Sequence, residues 1–219
     1  MNTALHTDRT LRCVVHTPSL DWVASPAPGV WRRLLERDGG EVARATSIVR
    51  YDAGARFEAH THGGGEEILV LEGTFEDEHG RYGPGTYIHN PVGSAHAPFT
   101  MEGCTLLVKL RHLDPRDSER VVIDARSATW RQGLVDGLKV LPLHSFETQN
   151  TALVHWAPQT FFNPHRHWGC EEIFVVEGVF SDEHGDYPAG SWLRSPHMSQ
   201  HQPFSREGCL IFVKTGHLG

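Results

Sequence analysis

Residues 60–110 align without a gap on residues 165–215 at a constant offset of 105, and 26 of the 51 positions are identical. Such a repeat dictates two structural units of one kind, because both copies must bury the same apolar positions against the same partners. Upstream, Gly29-Val30-Trp31 answers Gly137-Leu138-Lys139, with a shortened turn before the gapless block. The polar, Pro-containing stretch 111–121 (RHLDPRDSERV) forms the expected seam. The expected organisation is therefore an N-terminal unit at 1–110, a linker at 111–121 and a C-terminal unit at 122–219. A chain of 219 residues buries roughly 70% of its unfolded surface, enough to give the chain a real core.

Each unit reads as β structure. The runs Glu66 to Glu72 and Glu171 to Glu177 are short, apolar and rich in β-branched and aromatic residues, and they stop at Gly73 and Gly178. Asp77-Glu78-His79-Gly80 and Asp182-Glu183-His184-Gly185 are polar turn clusters between such runs, expected as solvated hairpin tips. Asp38-Gly39-Gly40 predicts another hairpin, joining Val30–Arg37 to Glu41–Tyr51. No stretch keeps a helical hydrophobic period beyond about two turns. Short, evenly spaced strands with Gly/Pro turns point to an all-β fold of two tandem jelly-roll barrels, forming an intramolecular pseudo-dimer.

Composition removes several classes of function. Twenty basic against 27 acidic side chains leave a net charge of −7, with no basic stripe, so nucleic acid is not an expected partner. The longest apolar runs, such as Ile68-Leu69-Val70-Leu71, fall far short of the ~20 residues of a membrane span. No basic-then-apolar leader opens the chain, and Cys13, Cys104, Cys170 and Cys209 are too scattered for a zinc ribbon or a CxxC pair. The expected setting is cytoplasmic, with reduced thiols. Cys170 stands out only for lying between a histidine pair and Glu171.

The chain holds 16 histidines, and their placement carries the chemistry. His60 and His62, and again His165 and His167, sit at i and i+2, which on a strand sends both imidazoles to one face. A carboxylate follows (Glu66, Glu171), itself followed by a second (Glu67, Glu172), and a third histidine comes about 30 residues on (His96, His201). Three imidazoles with one carboxylate suit zinc, iron(II), manganese or nickel. His89 has Arg194 in the corresponding place and is left out of the set.

These residues resemble the two cupin motifs, G-x5-H-x-H-x(3,4)-E-x6-G and G-x5-P-x-G-x2-H-x3-N. Gly54, His60, His62, Glu66 and Gly73 fit the first, and Gly85, Pro91, Gly93 and His96 the second; in the other copy His165, His167, Glu171, Gly178, Gly190, Pro196 and His201 fit. Departures fall at Gln159 and Met198, where the motifs have glycine, and at Thr100 and Ser205, where they have asparagine. More narrowly, Glu-Glu-Ile-x-Val-x-Glu-Gly-x-Phe and Asp-Glu-His-Gly-x-Tyr look like the ChrR-type cupin-like domain, the metal-binding sensor region of certain bacterial anti-sigma factors. The resemblance selects Glu66 and Glu171 over their neighbours as ligands. It implies one ion per unit, zinc foremost, with iron(II), manganese or nickel as alternatives.

The same resemblance implies a regulatory sensor, although the helical His-x3-Cys-x2-Cys module of such anti-sigma factors is missing. The alternative is a metal-dependent cupin enzyme, a dioxygenase or isomerase acting on a small organic substrate. Expected partners are accordingly a regulatory protein or a small molecule in the barrel, with self-association of the chain also compatible with the family.

Overall fold

The computed structural model describes residues 3–40 and 42–218. The expected strand start at Glu41 and the outer unit bounds at 1 and 219 lie outside the described residues. The chain forms two compact units: one gathers the residues up to Thr7 and Leu20–Ala128, the other Asp8–Ser19 and the residues from Thr129 on.

In the first unit the main sheet is antiparallel. Its strands run Thr3–Leu5, Val30–Gly39, Ala43–Tyr51, Cys104–Leu110, Glu66–Gly73, Thr86–Asn90 and Val121–Asp124 in spatial order, with Val23–Ala24 flanking Val30–Gly39. Two short pairs complete the unit, His60–Thr61 with Ala95–His96 and Phe75–Asp77 with Gly80–Tyr82. Alternation along the strands decides what faces inward. On Glu66–Gly73, Ile68 and Val70 enter a core with Val30, Tyr51, Phe75, Leu106 and Val108, so Glu66, two residues before Ile68, shares their face. The second unit repeats the plan, its core built from Leu138, Trp156, Ile173, Val175, Phe180 and Ile211 among others. Among the described residues the only helix is a single 3₁₀ turn, Thr17–Ser19.

Strand pairing crosses the boundaries that the repeat suggests. Cys13–His16 pairs with Ser191–Ser195 of the second unit, while Val121–Asp124, which starts at the last residue of the Pro-containing stretch, pairs with Thr86–Asn90 of the first. The two segments correspond: Arg12-Cys13-Val14-Val15 and Arg120-Val121-Val122-Ile123 each supply the last strand of a main sheet.

The turns are where glycine is indispensable. Gly73 and Gly178 both hold positive φ, near 70°, and a Cβ at either would overlap a carbonyl oxygen, that of Gly103 or Gly208. Gly54 also has φ +77° but faces open space. At its counterpart Gln159, and at Met198 opposite Gly93, the backbone keeps φ near 60° with a side chain present, so the turn geometry survives the motif departures at a strain of roughly 1 kcal/mol each. Gly54→Ala should therefore cost roughly 1 kcal/mol and Gly73→Ala roughly 3 kcal/mol or more, read from urea unfolding midpoints; equal costs would contradict the close approach.

Candidate metal centre

Each unit gathers its predicted set. In the first, His60 and His96 lie directly opposite each other in a two-stranded ladder, and His62 follows one residue beyond the strand residue Thr61. The ring centroids are 4.7 to 5.1 Å apart. The chain then reverses through Gly63-Gly64-Gly65, closed by a bond from Gly65 N to the His62 carbonyl at 3.2 Å. Glu66 returns to the cluster, its Oε2 lying 3.4 Å from His62 Nε2 and 3.5 Å from His96 Nε2. In the second unit His165 faces His201 in the same register. There His201 Nε2 is 3.1 Å from His167 Nε2 and 3.3 Å from His165 Nε2, and Glu171 stands 3.1 Å from His167 and 3.5 Å from His201.

The tautomers follow from the other ring nitrogens. His60 Nδ1 is 2.9 Å from the Glu58 carbonyl and His165 Nδ1 is 2.9 Å from that of Asn163. A carbonyl oxygen only accepts, so Nδ1 carries the hydrogen and Nε2 keeps its lone pair toward the cluster. His96 Nδ1 likewise faces Asp77 Oδ2 at 3.3 Å. The Nε2 atoms of His62 and His96 are buried and make no hydrogen bond. Nitrogen lone pairs crowded together with a carboxylate repel unless something positive sits among them. Ligands about 2.1 Å from one ion stand about 3.0 Å apart at right angles and about 3.4 Å apart in a tetrahedron. The spacings here, 3.1 to 3.5 Å, match those of ligands around one shared cation. The donor set thus fits a divalent transition ion.

Electrostatics favours the neutral form of His62 and His167 and acts the other way on the third ring of each cluster. Burial, assisted by the neighbouring imidazoles, lowers the His62 pKa, and burial with His165 and His201 brings His167 down to about 3. Burial pushes Glu171 up to about 7. For His96 and His201 burial also acts downward, but the adjacent carboxylates, Asp77 with Glu66 and Asp182 with Glu171, prevail and raise both.

The neighbouring carboxylates Glu67 and Glu172 point away from the histidines, on the opposite face of their strands. Glu67 accepts from the Tyr87 hydroxyl at 2.7 Å, and Glu172 from Trp192 Nε1 at 2.7 Å. His89 is fully buried and pairs with Asp117 at 3.4 Å, outside the cluster.

The expectation of solvated tips fails at Asp77 and Asp182. The hairpins form, yet both carboxylates are buried. Asp77 Oδ1 accepts from the backbone of His79 and Gly80 and from Tyr82 OH at 2.8 to 3.1 Å, which leaves Oδ2 for His96. Asp182 repeats this with His184 N and Tyr187 OH, and Arg12 joins it at 3.1 Å. The His201 ring 3.9 Å away, together with the bonds from Tyr187, His184 and Arg12, outweighs burial and holds Asp182 at about 2. Asn90 Nδ2 donates to Glu66 Oε2 at 3.1 Å. The one available signal for the aspartates was their recurrence at the 105 offset, which surface turns do not require.

No disulfide forms among the described residues. Cys104 and Cys209 are buried, which pushes their thiols up to about 12 and about 11, as expected of small core residues. Cys170 is buried as well, and its thiol donates to the Leu218 carbonyl at 3.3 Å. No helix among the described residues is long and apolar enough to cross a membrane.

The histidine and glutamate clusters open onto cavities: about 360 Å³ in the first unit, lined by His60, His62, Glu66 and His96, and about 220 Å³ in the second, lined by His165, His167, Glu171 and His201.

The sequence pattern of the ChrR cupin-like domain matches twice, at residues 10–114 and 118–219. Among curated proteins none matches the chain. Solved structures with the same fold include a candidate dioxygenase from Nostoc punctiforme, 16% identical, covering 95% of this chain and 83% of its own, with a TM-score of 0.79. Protein Ylba from E. coli is 15% identical over 98% of this chain and 94% of its own, at TM-score 0.73. The oxalate decarboxylase of Lactobacillus farciminis, solved with formate, is 14% identical over 93% and 86%, at TM-score 0.65.

His62→Ala and His167→Ala should each remove about one divalent ion per chain, and the double variant about two, measured by elemental analysis after loading and desalting. Glu66→Gln should weaken the first site while Glu67→Gln leaves it intact; the reverse would reassign the carboxylate. Asp77→Asn, which loosens His96, should lower affinity there roughly 10- to 100-fold.

Proposed function

The chain belongs to the ChrR cupin-like family, and from that premise we propose that it is a divalent-metal cupin whose first site acts on a small organic molecule. One ion sits in each unit, held by His60, His62, Glu66 and His96 and by His165, His167, Glu171 and His201. The observation that carries the reading is the pair of buried Nε2 atoms, on His62 and His96, that make no hydrogen bond and line an apolar cavity.

Four protein ligands close a tetrahedral shell but leave two positions on an octahedral ion. A cavity of about 360 Å³ against the ligands supports the open arrangement, since it is of the size that small-molecule sites have. A divalent ion there supplies Lewis acidity, polarising an oxygen of the bound molecule or of water. The chain's own part is to hold the ligands fixed. The Glu58 carbonyl and Asp77 set the tautomers of His60 and His96, Asn90 orients Glu66, and the apolar wall excludes bulk water. Oxygenation or isomerisation is the class of reaction this supports, with iron(II), manganese or nickel in place.

The ChrR likeness favours a second reading, in which zinc closes both shells and the protein regulates a partner protein in the cytoplasm. Substituting cobalt(II) separates the two. The proposed reading predicts weak visible bands, those of a five- or six-coordinate ion, at the first site. Intense tetrahedral bands from both sites, unchanged by any added small molecule, would favour the regulator.

A further inference from the structure

The two cavities are not equivalent, and their differences are specific. The second is the smaller partly because Trp156 stands where the first has Tyr51, and Leu138 where it has Val30. More telling is charge. Arg32 and Arg111 line the first cavity; their counterparts are Val140 and Thr215's neighbour Gly216, and no Lys or Arg lines the second. Arg32 shares the inward face of its strand with Val30, two residues before it. Arg111 follows the strand Cys104–Leu110, and its backbone N–H bonds the Gly65 carbonyl at 2.9 Å, beside the glycine turn between His62 and Glu66.

Arg111 occupies this place against its backbone preference. Its φ is +60°, and the matching Gly216 has φ +73°, so one left-handed position is glycine in the second unit and arginine in the first. Strain alone marks nothing, since Gln159, Cys170 and Met198 sit in the same region. What sets Arg111 apart is that its side chain lines the cavity and is exposed, able to meet an incoming ligand. A guanidinium beside an apolar pocket matches a planar, bidentate anion such as a carboxylate.

We propose that the first unit alone binds a small organic monoanion, an aryl or branched-alkyl carboxylate, with its head between Arg111 and the His60–His62–His96 cluster and its apolar body against Tyr51, Phe57 and Val108. This names the substrate class of the metal site proposed above and rests on that reading. The second unit then holds its ion without a ligand of this kind, so the duplicated chain divides the work between a binding half and a supporting half.

Titration of the zinc-loaded full chain with phenylacetate, followed by calorimetry, tests this. The expected result is one phenylacetate per chain against two zinc ions, with the neutral phenylacetamide bound at least about tenfold more weakly. Arg111→Gly, which copies the second unit and removes the strained φ, should weaken phenylacetate at least about tenfold. It should leave the zinc count at two and the thermal midpoint no lower. Two phenylacetates per chain, equal binding of acid and amide, or full affinity in the Arg111→Gly protein would each overturn the proposal. With two zinc ions still bound, such a failure leaves the metal reading standing. Phenylacetate bound in an Arg111-dependent way to a chain that takes up none of zinc, iron(II), manganese or nickel would overturn the metal reading instead.

Discussion

Three imidazoles and a carboxylate meet in each unit at separations that suit the ligands of one shared cation. The fold is arranged around that demand. His60 and His96 are cross-strand partners, so their approach is set by ladder geometry. The glycine turn brings Glu66 back onto the same point, and a buried aspartate on a hairpin fixes the third ring. Burial would ordinarily make such a polar cluster costly. A cation reverses the sign, since each lone pair that repels its neighbours becomes a ligand.

The repeat and the histidine spacing make most of this legible in the amino-acid sequence alone. A constant offset of 105 singles out the six histidines and a pair of adjacent glutamates in each unit, while a chance histidine such as His89 fails to recur and Arg194 stands in its place. What spacing left open, Glu66 or Glu67, strand alternation answers: Glu66 shares the face of Ile68 and Val70, and Glu67 turns to Tyr87. Asp77 and Asp182 were misread because a polar run ending in glycine is also the signature of a solvated turn. Their burial comes from Tyr82 and Tyr187 packing over them, a tertiary contact that composition does not reveal.

The unit boundaries show another limit of linear reading. The repeat in the sequence places Cys13–His16 in the N-terminal unit and Val121–Asp124 across the end of the linker and the C-terminal unit, yet each supplies the last strand of the other unit's main sheet. Each is preceded by an arginine at its hairpin aspartate: Arg12 pairs with Asp182 at 3.1 Å, and Arg120 reaches Tyr82 OH at 3.2 Å. These edge strands thereby support the third histidine of each cluster as well as the sheet. Between the two copies the scaffold is held closely while the cavity wall varies, the pattern expected when one ancestral site has been duplicated and then specialised.

X-ray absorption at the edge of the ion carried by the purified, metal-loaded chain bears most directly on the central claim. The account predicts imidazole back-scattering from about three histidines around each ion, with two ions per chain. An edge spectrum lacking histidine scattering, or a chain that holds no transition ion after loading, would contradict it.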